Sequence, residues 1–253
     1  MTSEEELLFK RYTELAGRSE AAPYFIFADF LGLNERSIFL SAVSKFGAHV
    51  KYTLFGGTLG TERVMARLGD AEEIGFDSPF PIKTVKIEAE APKFAEKLSH
   101  RDYLGAILAL GIEREKIGDI AILENSAFLF AEEQMAEYIA STLESVRHTK
   151  VRCRITDQLP EGELYKTKRI KIQALGERLD AVVAKVFSLS REEASRLFLK
   201  GLVFIDGALC ESVSKIPKHG QVISVRGKGR FIYLGYETLS KKGKKNIEID
   251  LFV

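Results

Sequence analysis

The chain has no tryptophan, only two cysteines, and few methionines, histidines and prolines among its 253 residues. Cys153 and Cys210 share no C-x-x-C spacing, so neither a zinc site nor a disulfide framework is signalled, and buried reduced thiols are expected. No apolar run approaches the roughly 18 residues that span a bilayer. The opening MTSEEELLFKRY is acidic where a secretory signal would be basic. These features predict a cytoplasmic protein without membrane contact. What is present is ordinary for a globular chain, 45% apolar and 29% charged, with room for two or three domains.

The net charge of +1 conceals an asymmetry. From Lys150 to Val253 there are 21 Lys and Arg against 12 Asp and Glu, or +9, which leaves 16 against 24, or −8, for the first 149 positions. The C-terminal part is therefore the end that faces a polyanion.

Leu7, Leu8, Tyr12 and Leu15 predict an amphipathic helix closed by Gly17. After the aromatic run Tyr24, Phe25, Phe27 and Phe30, a second helix is expected, capped by Asn34, with Ile38, Phe39, Ala42, Val43 and Phe46 on one face and Gly47 as its stop. A strand over Ala48 to Phe55 leads into GGTLGTERVMARLG, which reads as a tight turn followed by a helix. Its glycines fit neither G-x-G-x-x-G nor a P-loop, so turn geometry explains them, with an RNA contact through Arg63 and Arg67 as the functional alternative.

Pro79 and Pro81 mark a boundary. Beyond them the pattern is strand (Ile82 to Ala89), helix (Ala91 to Ile112), strand (Ile117 to Leu123), strand (Ala127 to Phe130), helix (Glu132 to Val146) and strand (Thr149 to Ile155). That order is the ferredoxin-like α/β plait shared by RNA-recognition motifs. The strand IGDIAIL lacks the aromatics such a motif displays, and Lys86 is the exposed basic residue placed on the first strand, so the fold is expected without that binding surface. In SHRDYLGAILALG, Ser99 and Asp102 suit a helix cap. His-Arg-Asp resembles a kinase catalytic loop, but the accompanying kinase motifs are missing.

Gln158 to Lys166 reads as a linker and Thr167 to Gln173 as a strand with Lys and Arg outward. Leu179, Val182, Val183, Val186 and Phe187 form one helical face. Ser190 and Glu193 form a capping box for a second helix, buried through Ala194, Leu197 and Phe198 and ended by Gly201. A strand to Ile205, an Asp206-Gly207 hairpin turn and a strand QVISVR follow, then a turn in which Gly227 and Gly229 alternate with Arg226, Lys228 and Arg230. Lys241, Lys242, Lys244 and Lys245 are expected to extend the basic surface ahead of a final strand.

The RLD of Arg178 to Asp180, the SR of Ser190 and Arg191, the hairpin GLVFIDG and the strand GQVISVRG together resemble the S-four (αL-type) RNA-binding domain, with Asp206 where that hairpin usually has Asn. With HRDYLGAILALGIEREKIGDI upstream and SVRGKGRF near the end, the chain resembles the YlmH family of bacterial proteins. The resemblance implies binding to structured RNA at helix junctions by shape and phosphate contacts, with large-subunit rRNA and tRNA on the ribosome as partners, in quality control or rescue of stalled peptidyl-tRNA. Arg178 and Arg191 match the gripping positions, and Asp180 is expected to orient Arg178 or cap its helix.

The expected fold class is α+β: an N-terminal α/β domain over 1–78, the plait over 79–157 and the S-four domain with its basic tail over 166–253. The expected RNA-binding residues are Arg178, Lys185, Arg191, Arg196, Lys200, Arg226, Lys228 and Arg230, in a monomer without catalytic residue, metal or cofactor. The alternatives are an RNA-modifying enzyme, since S-four domains also ride on pseudouridine synthases and methyltransferases, and a cell-division adaptor, a label this family carries.

Overall fold

The first helix starts from a reciprocal cap. Glu5 accepts the Thr2 N–H at 2.9 Å and the Thr2 hydroxyl accepts the Glu5 N–H at 3.3 Å. In the computed structural model, which describes residues 2–123, 126–159, 165, 167–239 and 243–252, this helix α1 (Ser3–Ala21) runs on past Gly17. The glycine does not end the helix but lies beside the Phe46 ring, which a Cβ at this position would meet at 3.7 Å. The elements that follow are β1 (Ile26–Phe27), α2 (Leu33–Val43), β2 (Tyr52–Phe55), β3 (Met65–Leu68) and α3 (Ala71–Ile74). Gly32, not Asn34, occupies the cap of α2, and the Asn34 amide instead donates to Glu5 at 3.0 Å.

The larger departure is β3, expected as helix. It is the middle strand of the antiparallel sheet β1-β3-β2. Met65, Ala66 and Leu68 are all buried. So short an apolar run has no period by which strand and helix can be told apart.

The next elements form the plait: β4 (Ile82–Ala89), α4 (His100–Leu108), β5 (Ile117–Ile122), β6 (Ser126–Glu132), α5 (Glu133–Thr142), β7 (Ser145–Val146) and β8 (Thr149–Thr156). The sheet order is β5-β6-β4-β8-β7, and every adjacent pair is antiparallel. Leaving out the two-residue β7, that is the split βαβ arrangement expected. Helix α5 is shorter than its sequence pattern, because Ser145 and Val146 leave it to pair with β8 through Arg147 at φ +54°. Val85, Ile87, Tyr103, Ile107, Leu129 and Ile139 fill the space between helices and sheet. Ser99 caps α4 as expected, its N–H and hydroxyl donating to Asp102 at 2.8 and 2.6 Å.

The N-terminal elements and the plait belong to one compact unit, Met1–Leu164, and are sewn together by polar contacts. The loop GGTLGTER is the main seam. Buried Asp119 of β5 accepts the backbone N–H of Glu62 at 2.5 Å and of Arg63 at 3.4 and 3.3 Å. The Arg63 guanidinium donates to the carbonyls of Phe30, Arg114 and Ile117 at 2.9, 3.2 and 2.9 Å. The anion this turn cradles is thus the protein's own carboxylate. Arg67 is spent likewise, on Asp77 at 2.6 Å and over the Phe25 and Phe80 rings at 4.4 and 5.3 Å. Neither arginine sits on a helix as the sequence suggested.

The second compact unit is Tyr165–Val253. It comprises β9 (Thr167–Ala174), α6 (Leu179–Val186), α7 (Arg191–Leu199), β10 (Val203–Ile205), β11 (Ala208–Leu209), β12 (Val222–Val225), β13 (Gly229–Leu239) and β14 (Lys245–Phe252). Its sheet runs β11-β10-β12-β13-β14-β9, antiparallel throughout. Leu179, Val182 and Val183 of α6 and Ala194 and Phe198 of α7 pack onto Val203, Ile223, Phe231, Ile247 and Ile249 of the sheet. The predicted helical faces are those that are buried. Asp206 and Gly207 turn the β10–β11 hairpin with φ +49° and +82°, the type I′ geometry expected. The linker residues Pro160 and Gly162 and the lysines Lys166, Lys241 and Lys242 lie outside the described residues.

Candidate nucleic-acid interface

Asp180 is the pivot of the C-terminal unit's basic surface. The N-terminus of α6 is held by backbone bonds from Leu179 to the Lys215 carbonyl at 2.9 Å and from Asp180 to that of Val213 at 3.1 Å. That seats the Asp180 side chain between the starts of α6 and α7, at 2% exposure. One of its oxygens accepts from Arg178 Nε at 3.2 Å and the other from Arg191 Nε at 3.2 Å, and the Ala181 N–H donates at 2.9 Å. One buried carboxylate therefore fixes two guanidiniums whose side chains stay 47% and 57% exposed. Both arginines keep N–H edges for an incoming anion.

Burial alone would raise the Asp180 carboxyl, but the hydrogen bonds from Arg178 and Arg191 outweigh it and hold the pKa below the usual value. A lowered folded pKa stabilises the fold above the unfolded value of about 3.9, and that contribution is lost as pH falls through the folded value. Asp180→Asn should therefore cost about 1–3 kcal/mol at neutral pH. The gap should narrow below about pH 4, where the unfolded acid becomes protonated, and close as pH falls through the lowered folded value, where the native acid is itself protonated. Denaturant unfolding at both pH values checks this, and a gap independent of pH would contradict it.

The remaining expected contacts do not form one patch. Lys185 lies on α6 beside Arg191, both lining the same cavity. Arg196 and Lys200 lie on the solvent side of α7, turned about 140° and 180° from Arg191 around an axis of about 100° per residue. Arg196 is ion-paired with Glu192 at 2.5 Å, both ends exposed. Lys228 is close enough to Glu193, at the start of α7, to help lower its pKa, after the Ser190 backbone and hydroxyl.

Arg226 and Arg230 lie on the opposite face of the sheet. Arg226 covers the Phe204 ring at 4.5 Å, and Arg230 covers Tyr165 and Phe252 at 4.8 and 4.1 Å. The strand alternation Arg230, Phe231, Ile232, Tyr233, in which Phe231 and Tyr233 are buried, was the signal for this. The tail adds less than expected, because Lys245 is drawn onto Glu177 at 2.5 Å and over Tyr236 at 3.8 Å. What sequence reasoning missed is the link from Asp180 to Arg191.

On the plait, the sheet face away from the helices carries Phe128 and Phe130 on the central strand β6. Both rings lie on β6, whereas the strand IGDIAIL, whose lack of aromatics the sequence shows, is the outer strand β5. Neither is open for stacking. Phe130 is buried against Phe30, Met65, Phe80 and Ile82, and Phe128 is 2% exposed with Lys86 over it at 5.6 Å. On the same face, Lys150, Arg152 and Arg154 of β8 are exposed, with Arg154 bound to Glu88 at 3.1 Å.

Cys153 and Cys210 are free thiols, and burial pushes Cys153 up to about 11. No group of metal-ligating side chains occurs among the described residues, and no described helix is long and apolar enough to cross a membrane.

Fold and surface define an α+β protein in which a ferredoxin-like plait precedes a basic helix pair on an antiparallel sheet. A family model described as "Putative RNA-binding domain in YlmH" matches residues 77–158, the plait itself. The chain is 30% identical over 226 residues to the ribosome-associated protein quality control protein P2 of Bacillus subtilis (strain 168), covering 88% of this chain and 85% of that one. A solved structure, the cell division protein ylmH from Streptococcus pneumoniae, shares the fold with a TM-score of 0.51 at 17% identity, over 62% of this chain and 93% of that one. The chain belongs to the YlmH family.

Proposed function

We propose that the C-terminal unit is an S-four RNA-binding domain, and that the chain is a non-catalytic, monomeric, cytoplasmic protein that binds large-subunit rRNA and tRNA on the ribosome. Its role on this reading is ribosome-associated quality control or rescue of stalled peptidyl-tRNA. The observation that carries it is the pair Arg178 and Arg191, fixed by buried Asp180 with guanidinium edges exposed. The name of the B. subtilis relative supports the ribosomal setting. The use of Asp180 as an anchor weighs against the pseudouridine-synthase alternative, which would need that carboxylate accessible to a substrate. The parts would divide as 1–78, 79–157 and 166–253.

The family match to the plait favours a second contact through Lys150, Arg152 and Arg154, to RNA backbone and not to stacked bases, since Phe128 and Phe130 are covered.

Co-sedimentation of the full chain with purified large subunits tests the reading. Binding should fall steeply and linearly on a log–log plot against salt, as displacement of condensed counterions requires. A chain left in the supernatant at the lowest salt, with intact subunits, would overturn it.

A further inference from the structure

One cavity of the C-terminal unit is lined by three cations and no carboxylate. It holds about 350 Å³, at the small end of the ~300–1,000 Å³ usual for small-molecule sites. Leu175, Ala181, Ala184 and Leu189 supply its apolar lining, and Lys185, Arg191 and Lys244 its charge. Three other cavities all carry carboxylates. One sets Asp29, Glu35 and Glu115 against Arg11, Arg63 and Arg114, another carries Glu20, Asp70 and Glu73, and the third mixes Lys51 and Arg67 with Asp70. The occupant that suits the cationic cavity has an apolar face and a negative charge at its edge.

We propose that this cavity receives one unpaired nucleotide projecting from an RNA helix that lies across Arg178 and Arg191, a refinement that rests on the RNA-binding reading of this unit. A base presents flat apolar faces with a phosphate on either side, which is how unpaired RNA is commonly read. Here the aliphatic lining meets the face of the base, and Gln173 and Ser190 lie at the wall as polar partners for its edge. Arg191 belongs both to the cavity and to the pair held by Asp180. A phosphate at the pair and a base in the cavity would therefore be neighbours on one strand. Ala181 and Ala184 keep the space open, and Leu175, 78% exposed, stands at its margin.

The test compares the full chain's affinity, by fluorescence anisotropy, for a fully paired RNA hairpin and for the same hairpin with one bulged adenosine. The bulged form should bind about tenfold more tightly. Ala181→Leu, which fills the cavity, and Leu175→Gln, at an exposed position that folding tolerates, should each abolish that preference. Both should leave affinity for the paired hairpin within about twofold. Equal binding of the two hairpins by the unaltered chain, or a preference that survives in Leu175→Gln, would overturn the cavity assignment while leaving RNA binding intact. Loss of the preference on adding excess free AMP would support the assignment, because the free nucleotide then competes for the same cavity. Binding to neither hairpin would remove the parent reading, and this one with it.

Discussion

Arg178→Ala combined with Arg191→Ala is expected to weaken binding to structured RNA about 100-fold at moderate salt. A charge-assisted hydrogen bond to phosphate contributes about 1.5–3 kcal/mol, and tenfold in affinity corresponds to about 1.4 kcal/mol. Two such contacts therefore give at least that loss. The salt slope should fall by about two, one per phosphate contact removed. Removing both arginines would also strand the Asp180 carboxylate in a site where it is 2% exposed, and an uncompensated buried charge costs about 3–5 kcal/mol. The double substitution is therefore best made together with Asp180→Asn, with thermal unfolding as the control. Filter binding across a salt series reads the result. Unchanged affinity and slope in a folded variant would show that the pair does not contact RNA.

Gly57→Ala should destabilise the N-terminal unit by about 2–4 kcal/mol, from two costs that add. Gly57 sits at φ +103°, outside the region open to an L side chain, and an added Cβ would run into the Phe130 ring. Backbone strain of this kind costs about 1 kcal/mol or more, and overpacking a tight contact about 1–3 kcal/mol. Gly60, at φ +80° with nothing within 4 Å of a Cβ, separates the two terms. Gly60→Ala should lose only the strain. Since the chain has no tryptophan, circular dichroism in urea is the appropriate readout. Equal losses at the two positions would mean that contact with Phe130 contributes nothing.

These effects bear on how much could be read before the structure. Local signals transferred well. Ser190 and Glu193 cap α7 as a reciprocal pair, Asp206 and Gly207 take the left-handed angles their types allow, and β4 spans Ile82–Ala89 as the alternation indicated. Each depends on residues within a few positions of one another. The failures needed distant partners. Gly17 looked like a stop because nothing nearby revealed Phe46. Arg63 of GGTLGTER was expected on a helix with an RNA contact as its functional alternative, because Asp119, which accepts the N–H groups of Glu62 and Arg63, is more than fifty residues away. Met65 to Leu68 reads as helix in the sequence but is a strand, because a strand buried on both sides has no period of two by which to tell it.

The same division runs through the candidate interface. The amino-acid sequence alone determined the split of charge between the halves, the order of elements in the plait, the apolar faces of α6 and α7, and the RLD and SR residues that mark the family. Only the tertiary structure decided which basic residues act together. Arg178 and Arg191 become one feature because the starts of two helices converge on the buried Asp180, and an ion pair spanning eleven residues exists only once α6 and α7 have packed on their sheet. Arg226 and Arg230, equally basic in the sequence, turn to the other face because alternate residues of a strand point in opposite directions, and the sheet's core claims their neighbours Val225 and Phe231.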